Sequence, residues 1–226
     1  PLLQDRQGDR SVVKKTAMKK ARFHVLGLAH QPVTRHVTSC AYTAKIYYMA
    51  AMLKQAGHEV FLYHAGSSVA GNLADRCIQV VGDDTLDALY GPRFYETYNQ
   101  GWNQNDAAWV EFRRTAGLQI NRNLSSDGDI VLASFGTAHE GCCPSRSSAL
   151  TIEMGVGYEG VFAPCKVWES HAWRHFVYGR QPSLSKTGDT VIPGYLDPAE
   201  FTFQDKKEGY LLFLGRVIRE KGIEEA

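Results

Sequence analysis

A switch of hydrophobic period within the first sixty residues constrains the fold of this chain more than any other feature. Residues 22–29, RFHVLGLA, form a short apolar run ending in small residues, the pattern of a buried strand. Tyr42, Ile46, Met49, Leu53 and Ala56 then recur at spacings of 4, 3, 4 and 3, which places them on one helical face. Gly57 is a helix stop, and residues 59–64, EVFLYH, read as a second strand. Strand, helix of about four turns and strand make a βαβ unit. Its two strands are parallel and its crossover right-handed.

The same logic repeats downstream. Cys77–Val81 reads as a third strand, and Asp106–Gly117 as a helix with Trp109 and Phe112 inward. Asp129–Ser134, DIVLAS, is a strand that opens into the glycine-containing loop FGTAHEG. Ser145–Thr151 is weakly helical, and Val167–Tyr178 is a stronger helix closed by Gly179. Thr190–Ile192 is a short strand, followed by PGYLDPAEF, whose Pro and Gly punctuation marks a linker. Tyr210–Leu214 reads as a new buried strand, and Gly222–Ala226 begins a helix. The expected fold class is α/β, a doubly wound, mostly parallel sheet with helices on both faces. The expected division is a leader over 1–18, a domain over 19–193, a linker over 194–207 and the truncated opening of a second domain over 208–226.

Composition excludes several classes. With 226 residues, 44% hydrophobic and 22% charged, the chain can bury a core, so disordered, collagen-like and coiled-coil readings fall away. No apolar run approaches the ~18–20 residues that cross a bilayer, and the first residues are basic rather than signal-like. Five cysteines without a paired framework point to a reducing compartment, so the expected localisation is cytoplasmic. Residues 1–22 hold seven Lys/Arg against two acids, which leaves the remainder slightly acidic. Such an arm could touch nucleic acid or anionic lipid, or be a solvated leader preceding a true start at Met18. The body carries no basic stripe, so nucleic-acid binding is not expected, while peripheral membrane contact stays open.

In an open α/β sheet ligands bind at loops beyond the carboxyl ends of the strands. The first such loop, Ala29–Thr38, carries His30, Arg35 and His36 but no G-x-G-x-x-G, which argues against a dehydrogenase-type dinucleotide site. The second is Phe135–Pro144. The third is GRVIREKG, in which Gly215 would admit a ligand to the backbone. Arg216 and Lys221, near a helix start, there suit a diphosphate. Alternatively, Arg216 or Arg219 pairs at the surface with Glu220, Glu224 or Glu225.

Competing constellations remain open. His171 and His175 share one helical face, and His139, Cys165 and the Cys142–Cys143 pair could complete a zinc site of a hydrolase. Ala172, however, stands where H-E-x-x-H needs its Glu. The plainer alternative packs Trp168, Ala172, His175 and Phe176 on the sheet and leaves His171 solvated or hydrogen-bonded. Glu153 and Glu159 either flank a cleft loop or are a strand end and a turn charge. Trp102, Trp109, Tyr95 and Tyr98 are either a sugar-stacking platform or, for Trp109, core. Ser134, Ser145, Ser147 and Ser148 sit in no G-x-S-x-G elbow.

The pairing of PGYLDPAEF with YLLFLGRVIREKGIEEA some ten residues later resembles the interdomain junction of GT-B glycosyltransferases, and within them the retaining group 1, or family 4, branch. QAGHEVFLY and the stretch TIEMGVGYEGVFAPCKVWESHAWRHFVYG are similar to segments of that family, and the resemblance spans roughly residues 19–226. It implies a Rossmann-like N-terminal, acceptor-side domain and transfer of a sugar from a UDP- or GDP-linked donor to an acceptor hydroxyl, without metal or other cofactor. Arg216 and Lys221, with Gly215, would hold the donor diphosphate. Gly27 through Gln31, including His30, would form the first-strand cleft loop. His139, with Glu140 beside it, is the nearest match to the family's sugar-contacting His, several residues later than the family places it. Gly194–Tyr195–Leu196 stands where the family has Asn–Gly–Val, and the acidic E-x7-E of the second domain has no place in the chain. The 226-residue chain alone is therefore expected to be inactive and to bind donor weakly or not at all. The runner-up is a non-catalytic binding module of the same fold.

Overall fold

The computed structural model describes residues 19–224 except 36, 38–39, 68–70, 97–98, 100, 126–127, 146–147, 187, 215–216, 218, 220–221 and 223. The leader over 1–18, Arg216, Lys221 and the end of the C-terminal helix start thus lie outside the described residues. Seven strands, β1 Arg22–Leu26, β2 Glu59–Ala65, β3 Arg76–Val81, β4 Asp129–Ala133, β5 Ala149–Val156, β6 Cys165–Trp168 and β7 Thr190–Val191, form one sheet. Its order is β3-β2-β1-β4-β5-β6-β7, and every pairing is parallel. Among the described residues four α-helices accompany it: α1 Ala41–Gln55, α2 Asp83–Tyr90, α3 Ala107–Asn123 and α4 His171–Arg180. This is an α/β doubly wound, Rossmann-like fold. The chain winds outward from β1 to β3, then returns through α3 to β4 and winds the other way. Right-handed crossovers in opposite directions put α1 and α3 on opposite faces.

Local chemistry places the helix starts. Asp106 caps α3 by accepting from the Trp109 N–H at 2.9 Å, and Ser170 caps α4 by accepting from the Trp173 N–H at 3.2 Å. The core between sheet and helices collects Leu26, Ile46, Leu62, Phe112, Ala116 and Ile120, all fully buried. Trp109 is core, fully buried. All five cysteines are unbridged.

Several expectations are corrected. The weak helix expected over 145–151 is overturned from Ala149 on, where β5 begins. Its buried side presents Ala149, Thr151 and Glu153 while Leu150 faces out, so its polarity runs opposite to a strand's usual pattern. Glu153 is correspondingly not a strand end but lies within β5. The helix over 167–178 divides into β6 and α4, and Gly179 lies inside α4 rather than closing it. Lys166 disguises β6: it is buried, its Nζ pairs with Asp189 at 3.3 Å, and its N–H donates to the same carboxylate at 2.9 Å. On α4 the buried side chain is Val177; Ala172, His175 and Phe176 are exposed rather than packed, while Trp168 is buried from its strand. The helix placed at 106–117 runs on to Asn123, and α2 is an added element.

The last correction concerns 210–214, which form no strand; Tyr210, Leu211, Leu212 and Leu214 are exposed. A strand is stabilised by hydrogen bonding to a neighbour, and among the described residues nothing pairs with this segment.

Candidate functional site at the carboxyl rim of the sheet

The strand order reverses between β1 and β4, where an α/β sheet ordinarily opens a crevice. Here the loops filling that position are packed. At Gly27 a Cβ would lie 2.8 Å from the Tyr63 carbonyl oxygen, so the β1 loop runs close against β2. His30 is fully buried and stacks on Trp102, ring centroids 5.0 Å apart, with Trp109 and Phe135 adjoining. Burial holds its imidazole neutral, with a pKa lowered to about 3. Gln31 is buried, its Oε1 accepting from the Asn99 N–H at 3.2 Å and its Nε2 donating to the Phe94 carbonyl at 3.4 Å.

His139 sits in a 3-10 turn over Gly136–Cys142 and is fully buried. Its Nδ1 accepts from the Ser134 N–H at 3.2 Å, so the ring proton lies on Nε2, which donates to the Gly27 carbonyl at 2.8 Å. Burial lowers its pKa to about 4. Glu140, its neighbour in sequence, points outward and is exposed. The structure therefore brings Gly27, His30, Gln31 and His139 together in one packed junction and leaves Glu140 outside it. Gly215, Arg216 and Lys221 lie outside the described residues, as do His36, Tyr98 and Ser147.

The open space lies one step along the rim, at the carboxyl ends of β4 to β7. A cavity of about 370 Å³ is lined by Ser134, Met154, Gly155, Glu169 and segment 192–196, with Lys45, Met49 and Met52 of α1 on the other side. Its size falls in the range of small-molecule sites. Lys45 forms an ion pair with Glu169 and also donates to the Gly155 carbonyl at 3.2 Å. The Lys45 ammonium lies 4.6 Å from the centre of the Tyr42 ring, whose hydroxyl donates to the Gly157 carbonyl at 3.3 Å. A Cβ at Gly157 would meet the Glu169 carboxylate, which would have to swing aside.

Segment 192–200 is held over this cavity from α1 and the first loop. The Glu200 carboxylate accepts from Arg35 at 2.8 Å and from the Tyr48 hydroxyl at 2.6 Å. The wall formed by Ile192, Pro193, Gly194, Tyr195 and Leu196 is thereby fixed against the body.

Glu153 is buried and ties down the β5–β6 connection. It accepts from the Phe162 and Ala163 N–H groups at 2.8 and 2.9 Å and from the Tyr158 hydroxyl at 3.2 Å. Burial raises its pKa, opposed by those bonds. Parallel strands ordinarily need a crossover of a dozen or more residues. This one spans only 157–164 and holds no helix, so the carboxylate substitutes for the missing crossover helix.

His171 and His175 face solvent on α4 with ring centroids 6.0 Å apart. Among the described residues no group of three His, Cys, Asp or Glu side chains converges to hold a metal. Likewise, no described helix is long and apolar enough to cross a membrane.

The residues that sequence reasoning did not single out as a site are Lys45, Met52, Met154 and Glu169. One signal was present: three of the chain's four methionines, two of them a turn apart on α1, line this cavity. Fold and site together define a Rossmann-like α/β domain with a pocket at the carboxyl rim of its sheet. No family model, no curated protein and no solved structure matches the chain.

Proposed function

We propose that this chain carries the acceptor-side domain of a nucleotide-sugar-dependent glycosyltransferase, with the rim cavity as its acceptor site. The observation that carries the reading is the position of segment 192–196. The stretch whose sequence resembles an interdomain linker forms one wall of an apolar-lined cavity at the carboxyl rim. A second domain following that linker would stand over the cavity's mouth, where a donor and an acceptor meet. In the transfer, the bond from the anomeric carbon to the diphosphate oxygen breaks, and the acceptor oxygen bonds to that carbon. The acceptor's hydroxyl proton is lost to the departing nucleoside diphosphate. Arg216 and Lys221, by the same resemblance, neutralise the diphosphate as its charge develops. His139, with both ring nitrogens bonded to backbone, acts here by joining the β1 and β4 loops rather than by exchanging protons.

The test is a mass-spectrometric transfer assay with UDP- and GDP-linked sugars and a library of hydroxyl compounds. It is run on the 226-residue chain and on extracts of cells expressing its own gene. Sugar addition that is lost in Arg216→Ala and Lys221→Ala variants is expected. No transfer in either preparation, or transfer indifferent to both substitutions, overturns the reading and leaves a non-catalytic binding module.

A further inference from the structure

We infer that the rim cavity binds a neutral, largely apolar molecule carrying a hydroxyl, and that Lys45 and Glu169 together recognise that hydroxyl. The inference rests on the glycosyltransferase reading only for calling this molecule the acceptor. Three observations converge on it.

The first is charge. Among the described residues, Lys45 and Glu169 are the only Lys, Arg, His, Asp or Glu side chains lining the cavity, and they pair with each other, so the pair offers no net charge. A carboxylate ligand would be desolvated against Glu169, and an ammonium against Lys45; either costs more than a neutral group. The second is donor and acceptor count. An ammonium has three N–H donors, and among the described residues Lys45 uses two, on Glu169 and the Gly155 carbonyl. The third has only the Tyr42 ring, 4.6 Å from the ammonium, against it, a contact weaker than one to a hydroxyl oxygen, and with the carboxylate's spare lone pairs it offers one donor and one acceptor side by side. That is the complement of a hydroxyl, which accepts from the ammonium and donates to the carboxylate. The third is the wall. Met49, Met52 and Met154 line the cavity together with Ile192 and Leu196, and unbranched thioether side chains mould to an irregular apolar body. A rigid polar sugar would leave these groups against its hydroxyls, unable to hydrogen-bond them.

The experiment is a fluorescence titration of the 226-residue chain with the neutral dye Nile red, followed by displacement with decanol, decanoate and decylamine. Saturable dye binding is expected, with decanol displacing it at least about tenfold more effectively than either charged analogue. Leu196→Asp, at an exposed position on the rim, and Met154→Arg are each expected to weaken dye binding about tenfold or more. Circular dichroism melting confirms that both variants are folded. If Met154→Arg fails to fold, Leu196→Asp still decides the question. Lys45→Met is expected to keep dye binding while removing the preference for decanol. No dye binding, dye binding unmoved by Leu196→Asp, or equal displacement by all three head groups overturns the inference. Decanol bound as described but never glycosylated with UDP- or GDP-sugars supports the inference and removes the glycosyltransferase reading. Sugar transfer whose acceptor KM is unmoved by Leu196→Asp keeps that reading and removes this inference.

Discussion

His139 donates through Nε2 to the carbonyl of Gly27 across 2.8 Å, joining residues 112 positions apart at the point where the strand order reverses. The bond closes the crevice that a doubly wound sheet ordinarily leaves there, and it moves the available cavity toward β5 and β6. Replacing His139 with Ala leaves the Gly27 carbonyl and the Ser134 N–H buried without partners. A loss of about 2–4 kcal/mol is expected in urea unfolding. His139→Gln, which retains one donor and one acceptor, is expected to lose less.

Buried histidines make the fold acid-sensitive. His139 has a folded-state pKa of about 4 and His30 about 3, both below the ordinary 6.5. Below about pH 6.5 the unfolded chain takes up protons that the folded chain excludes, so stability is complete above that pH and falls as pH drops toward 4. Each group contributes a slope approaching about 1.4 kcal/mol per pH unit inside that window. Urea midpoints measured at pH 7, 6 and 5 should decline accordingly, and His139→Gln should decline less steeply.

Gly27→Ala tests the close approach of β1's loop to β2. The added methyl would meet the Tyr63 carbonyl oxygen at 2.8 Å and the Val33 side chain at 3.1 Å. A destabilisation of about 1–3 kcal/mol is expected from thermal melts. Gly179→Ala in α4, with open space around it, should be neutral or slightly stabilising.

Glu153→Leu removes the acceptor for two backbone N–H groups in the short β5–β6 connection. It should cost about 3 kcal/mol or more, whereas Glu153→Gln, whose carbonyl oxygen still accepts, should cost about 1 kcal/mol. Amide hydrogen exchange at Phe162 and Ala163 reads the difference directly.

The Lys166–Asp189 pair is buried on both sides, with side-chain exposures of 2% and 3%. Lys166→Met strands the Asp189 carboxylate and should cost about 3–5 kcal/mol in chemical denaturation. Asp189→Asn in the same background removes the stranded charge while keeping an acceptor for the Lys166 backbone N–H, and should restore part of the loss.

The βαβ core was legible because its periods are clean. Phe23, Val25, Leu62 and Tyr63 sit in strands covered by neighbours, and Ile46 and Met49 recur on one helical face, so burial and pattern agree. The β5–α4 stretch was not legible, because Thr151, Glu153 and Lys166 are buried polar residues whose partners lie outside their own strands. Nothing in the local pattern at Lys166 announces Asp189, and nothing at Glu153 announces the Phe162 and Ala163 amides. Tyr210–Leu214 shows the converse: a strand-like composition forms no strand where, among the described residues, no neighbour pairs with it.

The candidate site divides the same way. Local sequence determined that parallel strands would deliver loops to one rim, and it marked Gly27, His30, Gln31 and His139 as residues of those loops. Only the tertiary structure decided that these four close on one another, and that Lys45 and Glu169, 124 positions apart, meet at an apolar cavity instead. The physical reason is that hydrophobic periodicity is a local property of the chain. Which loop fills a crevice, and which charge finds its partner, depends on packing and hydrogen bonding between segments that the chain brings together only when folded.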